Sequence, residues 1–178
     1  MNFMENWDLF DENRNPLGQT HPRGIPLPEG CYHKVVFVWP VDRQGRFLLM
    51  RRAPEKKTYA GCWGSTGGSV LAGESGPAGA VRELFEETGI CVSEDMLELI
   101  YSVRERDMFC DIYFLPLCEE TIQIRMQAGE TVEAGWFLPE QIDGLADLSE
   151  PDRRRWQVLG HLLEEKARLW ANKTENCP

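Results

Sequence analysis

The segment GSVLAGESGPAGAVRELFEETGI, from Gly68 to Ile90, constrains this chain more than any other part of it. Its second half reads as a helix over 76–88, with Ser75 as N-cap and Gly89 as the glycine that stops it. At about 100° per residue, Glu83, Glu86 and Glu87 fall within an arc of roughly 100° on one face, and Val81, Leu84, Phe85 and Thr88 lie opposite. One face therefore packs on a sheet while the other holds three carboxylates side by side. Like charges at this spacing weaken a helix by a few tenths of a kcal/mol per pair. Glu87 also stands in the last turn, where the helix dipole disfavours an anion. A hard divalent cation with oxygen ligands removes both penalties. The plain alternative is a solvated acidic face in which Arg82 pairs with Glu86 one turn on. Ahead of the helix, Gly67 and Gly68 leave the backbone free to come close to a ligand or metal, and Glu74 stands at the helix entry.

Around this segment the chain alternates between strand and helix patterns. Tyr32–Val41 carries the β-branched run Val35, Val36 and Val38, Asp42-Arg43-Gln44-Gly45 makes a hairpin turn, and Arg46–Arg52 returns. Residues 53–62 form a loop and 63–71 an extended glycine-rich stretch. Leu97–Arg104, Cys110–Leu117 and Glu133–Phe137 are further strands, and a short helix follows Pro139. The last element, about 150–171, is an amphipathic helix: Ser149 and Asp152 have capping-box spacing, and Trp156, Leu159, Leu163, Ala167 and Trp170 make a core stripe. This mixed order implies an α/β sandwich with a mixed central sheet. Residues 7–30 are rich in turn formers, with short strands near 7–10 and 17–21 that make a β-ribbon. We read 1–30 as an N-terminal extension packed on one domain that spans 31–178 and includes the last helix.

The formal net charge is -10, which argues against binding to a nucleic-acid polymer, because that needs a cationic surface. An anionic substrate must then find a local basic patch. Arg51, Arg52, Lys56 and Lys57 are the dense basic cluster beside the acidic segment, and they are candidate phosphate contacts. Strand alternation keeps Arg51 and Arg52 from both facing the site. Tyr32, Tyr59 and Trp63 are candidates to line a base- or isoprenoid-sized pocket. No apolar run approaches the roughly 20 residues that span a bilayer, and Met1–Asp11 has no apolar stretch of the secretory kind. The six cysteines form no CxxC, which disfavours structural zinc. These features predict a cytoplasmic protein with reduced thiols and no membrane partner.

Across the segment the pattern is G, five residues, E, seven residues, R-E-L-x-E-E-x-G-I. Gly68, Glu74, Arg82, Glu83, Leu84, Glu86, Glu87, Gly89 and Ile90 fill every fixed position. The chain thereby resembles the Nudix hydrolases. The resemblance implies an α/β/α sandwich and a hydrolase dependent on Mg²⁺ or Mn²⁺, in which water attacks phosphorus of a diphosphate linkage in a small molecule, such as a nucleoside diphosphate joined to another moiety. By the family pattern Glu83, Glu86 and Glu87 are metal ligands and the Gly67 carbonyl is another. Arg82 orients the glutamates, Glu74 supports the loop, and Gly68 and Gly89 shape the backbone. The segment from Gly129 to Trp136 resembles the family's acidic loop, with Glu130 a candidate further ligand or general base and Glu133 structural.

RRAPEKKTYAGCW, from Arg51 to Trp63, and the stretch from Trp7 to Gly24 also resemble the isopentenyl-diphosphate isomerases, and that likeness runs over roughly residues 7–145. The isomerases use a cysteine directly before the glycine that matches Gly68, and here that position is Gly67. Cys62 is not its equivalent. Of their three metal-binding histidines only His33 has a counterpart, the other positions being Pro26 and Ser69. Hydrolysis is therefore the favoured reading. The isomerase is the alternative, and a non-catalytic nucleotide-binding module is the third. The last helix leaves room for a homodimer.

Overall fold

The computed structural model describes residues 5–118 and 122–173. A two-stranded ribbon, β1 (Asn6–Phe10) and β2 (Pro16–Pro22), stands apart from a seven-stranded sheet. That sheet is built from β3 (His33–Val41), β4 (Phe47–Arg52), β5 (Trp63–Gly64), β6 (Thr66–Ser69), β7 (Glu98–Glu105), β8 (Met108–Pro116) and β9 (Thr131–Phe137). Its order is β5-β4-β3-β8-β7, with β6 paired to β3 and β9 to β4. β3 runs parallel to β8, from His33 opposite Met108 to Val41 opposite Pro116, while β6 lies antiparallel to it. The sheet is therefore mixed, as its sequence implied.

Period-two alternation sends each strand's side chains to opposite layers. Val36 and Val38 of β3, Leu48 and Met50 of β4, and Tyr113 and Leu115 of β8 pack with Ala80 and Leu84 of α1 (Gly76–Thr88). Trp39, Phe47, Leu49, Ile112 and Phe114 face the other way. There they meet Ile142 of α2 (Pro139–Asp143) and Trp156, Leu159 and Leu163 of α3 (Glu150–Asn172). The result is the expected α/β/α sandwich. Leu84 and Leu163 are fully buried, each contributing about 2 kcal/mol of transfer free energy.

Both long helices start where the sequence places them. Ser75 Oγ accepts the Ala78 N–H at 3.1 Å, and Gly89, at φ 74°, donates its N–H to Phe85 O at 2.8 Å. Ser149 Oγ accepts from Asp152 N at 3.3 Å and donates to Asp152 Oδ2 at 2.7 Å. One assignment on α1 is corrected. Phe85, expected on the apolar face, is 53% exposed, whereas Gly79, Ala80, Leu84 and Thr88 are buried. The buried arc centres on Leu84, from which Phe85 is turned about 100° one way and Glu87 about 60° the other. The carboxylate of Glu87, not the ring of Phe85, thus borders the core.

The ribbon is tied to the loop between β6 and α1. Ala72 N–H donates to Asn6 O and Gly73 N–H to Asp8 Oδ2, both at 2.8 Å. Trp7 stacks on His33 with ring centroids 3.9 Å apart, and Tyr32 exchanges backbone hydrogen bonds with Phe10. Cys31, Cys62, Cys91 and Cys110 are free thiols as expected, but Cys118 is disulfide-bonded, which corrects the expectation for that residue. Missing CxxC spacing speaks to zinc sites and does not exclude a disulfide between cysteines distant in sequence. Cys177 lies outside the described residues. Among the described residues no helix is long and apolar enough to cross a membrane.

Candidate functional site

Arg82 organises the acidic segment. Its Nε and Nη2 donate to the two carboxylate oxygens of Glu74 at 2.8 and 3.0 Å, and Nη2 also donates to Ser69 O at 2.9 Å. Its Nη1 donates to Glu83 Oε1 at 2.8 Å and more weakly to Glu86 Oε2 at 3.4 Å. Glu74 in turn accepts Leu71 N–H at 2.9 Å, and these bonds hold its carboxyl below the usual range. One guanidinium thus joins the loop, the end of β6 and the helix. The bland i+4 pair of Arg82 with Glu86 exists as well, but it is the longest bond of the set.

The glycines admit this closeness. A Cβ on Gly68 would stand 2.3 Å from the Glu83 carboxyl carbon, so the carboxylate lies directly on the backbone of β6. A Cβ on Gly67 would stand 2.2 Å from Val36 O on β3. Glu83 is pushed up chiefly by burial, against the pull of Arg82, with Glu86 adding to the rise. Glu87 is pushed up to about 8, first by burial, then by Glu83, with Glu130 adding and the Gly67 peptide and Arg52 opposing. Glu83, Glu87 and Glu130 therefore share one electrostatic neighbourhood. Among the described residues no three acidic, histidine or cysteine side chains are gathered closely enough to ligate a metal as they stand. Glu86, 44% exposed, leans on Arg82 instead.

The basic cluster divides as strand alternation requires. Arg52 lines a cavity of about 390 Å³ together with Glu87 and Gly67, and its Nε donates to Thr58 O at 3.1 Å. Arg51 points elsewhere, to Gly61 O at 2.9 Å and Glu133 at 3.2 Å. Lys56 is ion-paired with Glu130, and Lys57 is exposed. Of the three aromatic candidates only Tyr59 lines the cavity. Trp63 packs edge-on against Phe137, and Tyr32 packs on Phe109 beside the ribbon. His33 is buried under Trp7, away from the cavity lining, and burial lowers its pKa.

Sequence reasoning missed other residues that line the cavity, among them Phe37, Ser65, Thr131, Glu105, Asp152 and Arg155. Traces of them in the sequence are Thr131, inside the segment from Gly129 to Trp136 read for its acids, and Asp152 to Arg155, a charged run in the first turns of a helix read for its cap and its core stripe.

A family model described as NUDIX domain matches residues 32–158. A Nudix hydrolase of Listeria monocytogenes is 31% identical over 148 residues, covering 83% of this chain and 88% of that one. An isopentenyl-diphosphate Delta-isomerase of Streptomyces avermitilis is 36% identical over 87 residues, 48% of this chain and 44% of its own. The solved structure of DR0079 from Deinococcus radiodurans superposes with a TM-score of 0.66 at 21% identity, covering 92% of this chain and 98% of that one.

Proposed function

Because the chain belongs to the Nudix hydrolase family, we propose that it cuts a diphosphate linkage in a small molecule by metal-dependent attack of water on phosphorus. The observation that carries this reading is Glu87. Its carboxyl is pushed up to about 8, first by burial and then by Glu83 with Glu130 adding, and it lines a cavity that also holds Arg52 and Gly67. Charge of this kind is an unfavourable arrangement unless a cation compensates it. The donors fit such a cation: they are hard oxygens, and two of them are held ready by burial and by Arg82.

Glu83, Glu86, Glu87 and the Gly67 carbonyl would hold Mg²⁺ or Mn²⁺, which when bound offsets phosphate charge and acidifies a water. Arg82 and Glu74 fix the carboxylate of Glu83. Arg52, with Lys56, neutralises the phosphate oxygens. Glu130 takes the proton from the attacking water, within the field of Lys56. In this reading Arg51 is structural, bridging β4 to Glu133, and Lys57 makes at most a peripheral contact.

The isomerase reading is disfavoured by backbone geometry. With a Cβ only 2.2 Å from Val36 O, position 67 cannot carry the isomerases' cysteine without moving a strand. The non-catalytic reading is disfavoured by the complete set of acids. The test is a panel of nucleotide sugars, dinucleotides, nucleoside triphosphates and prenyl diphosphates incubated with Mg²⁺ or Mn²⁺, with products identified by mass. Metal-dependent release of a phosphorylated product is expected, together with its loss in Glu86→Gln and Glu87→Gln. Unchanged turnover in both variants would show that the site lies elsewhere, and double-bond migration without release would restore the isomerase.

A further inference from the structure

Five consecutive amides carry the chain from β6 toward α1, and each has a fixed acceptor. Val70 N–H donates to Lys34 O at 3.0 Å, Leu71 N–H to Glu74 Oε2 at 2.9 Å, and Glu74 N–H to Leu71 O at 3.0 Å. The last of these closes a four-residue turn, with Gly73 at φ 83° in the third position, where a left-handed residue is needed. The two central amides of that turn go to β1. Ala72 donates to Asn6 O and Gly73 to the Asp8 carboxylate, both at 2.8 Å. β1 is anchored without them. Leu9 and Phe10 are buried, and Phe10 and Tyr32 exchange backbone hydrogen bonds at 2.8 and 2.9 Å. Arg14, in the turn between β1 and β2, is ion-paired with Asp111 of β8.

Packing does not call for the two bonds at the turn. Ala72 and Gly73 are exposed, so water would satisfy both amides at little cost if the ribbon were absent. What the ribbon supplies is position, and a carboxylate acceptor makes the Gly73 bond the stronger kind. The turn that it grips ends at Glu74, whose two oxygens accept Arg82 Nε and Nη2 at 2.8 and 3.0 Å. Arg82 Nη1 donates in turn to Glu83 Oε1 at 2.8 Å. An unbroken path therefore runs from Asp8 through Gly73, Glu74 and Arg82 to the Glu83 carboxylate.

Resting on the diphosphate-hydrolase reading, we infer that Asp8 is a positioning residue for the metal site: through the Gly73 amide it fixes the turn that sets Glu74, and through Glu74 and Arg82 it fixes the carboxylate of Glu83. The N-terminal ribbon is then part of the site as well as a cover for β3. Asp8 touches neither metal nor substrate. It acts through its acceptor oxygen, so a side-chain amide in its place serves and a methyl group does not.

The test compares Asp8→Asn, which keeps an acceptor for the Gly73 amide, with Asp8→Ala, which removes it. Metal-free protein is recorded first by ¹⁵N NMR. Asp8→Ala should speed the exchange of Leu71 N–H and Arg82 Nε–H with water about tenfold, and Asp8→Asn should stay within about twofold of wild type. Mn²⁺ binding, measured by calorimetry, should weaken about tenfold in Asp8→Ala, the low end of what partners behind metal ligands are worth, and within about twofold in Asp8→Asn. If Asp8→Ala fails to fold, Asp8→Glu, which keeps the charge but moves the carboxylate by one methylene, takes its place with the same expected directions. Unchanged exchange in Asp8→Ala, or an Asp8→Asn variant that loses as much as Asp8→Ala, would overturn the inference. A wild-type protein that binds no Mn²⁺ and cuts no diphosphate, in which Asp8→Ala still frees the Arg82 Nε–H, would refute the hydrolase reading alone. A metal-binding, diphosphate-cutting protein whose Asp8→Ala variant binds Mn²⁺ as wild type does would refute the role of Asp8 alone.

Discussion

At the scale of single residues, the site depends on where atoms are missing. Gly68 has no side chain because the Glu83 carboxylate occupies that space. Gly68→Ala should displace this carboxylate by about 1 Å and lower kcat by on the order of 10²-fold, with a circular dichroism spectrum like wild type. An alanine variant with full kcat would mean that Glu83 needs no fixed position. The shared face of Glu83, Glu86 and Glu87 was legible because they belong to one helix, where spacing along the chain is nearly spacing in space, while the places of Glu74 and Arg82 were implied by the family pattern. Arg155 was not legible. Its partners Glu105 and Phe37 lie on strands 50 or more residues away, and only the docking of α3 on the sheet brings them together. The burial that pushes Glu87 up is of the same kind, since the helix wheel shows the carboxylate but not what closes over it.

At the scale of elements, the strand alternation of β3, β4 and β8 was readable because both sheet faces are covered and a period of two has no rival there. Phe85 was misplaced because a helix wheel cannot say how wide the covered arc is. The ribbon was legible as a pair of strands, but its attachment to the loop at Ala72 and Gly73 was not. The ribbon is also held to β3 by His33, which is buried under Trp7 and lies in the field of Asp107 and Arg23. Burial lowers the His33 pKa below its ordinary 6.5, Asp107 and the Lys34 peptide oppose the shift, and Arg23 adds to it. Because the unfolded chain takes up this proton first, the stability that neutral His33 contributes is full above pH 6.5. It is lost as pH falls through that value toward the lowered folded pKa. The raised carboxyls of Glu83 and Glu87 have the opposite sign, so the comparison must be differential. The melting temperature of metal-free wild type minus that of His33→Gln should fall between pH 7.5 and 5.5. A difference independent of pH would mean that His33 stays neutral, or charged, in both states.

At the scale of the whole molecule, the proposed function asks an acidic protein with a net charge of -10 to receive an anion. In the proposed reading the long-range field repels a diphosphate substrate while Arg52 and Lys56 attract it locally, and salt screens the distant term first, with a Debye length of about 10 Å at 0.1 M. At saturating Mg²⁺, kcat/KM should rise about two- to threefold between 10 and 100 mM NaCl. A fall would show that the local cations dominate capture. Strands β3 and β6 approach so closely that the Gly67 side of β6 has no room for a side chain. Any residue larger than glycine at that position obliges β3 and β6 to part at Val36, so Gly67 sets the spacing of the two strands as well as the room beside the carboxylates.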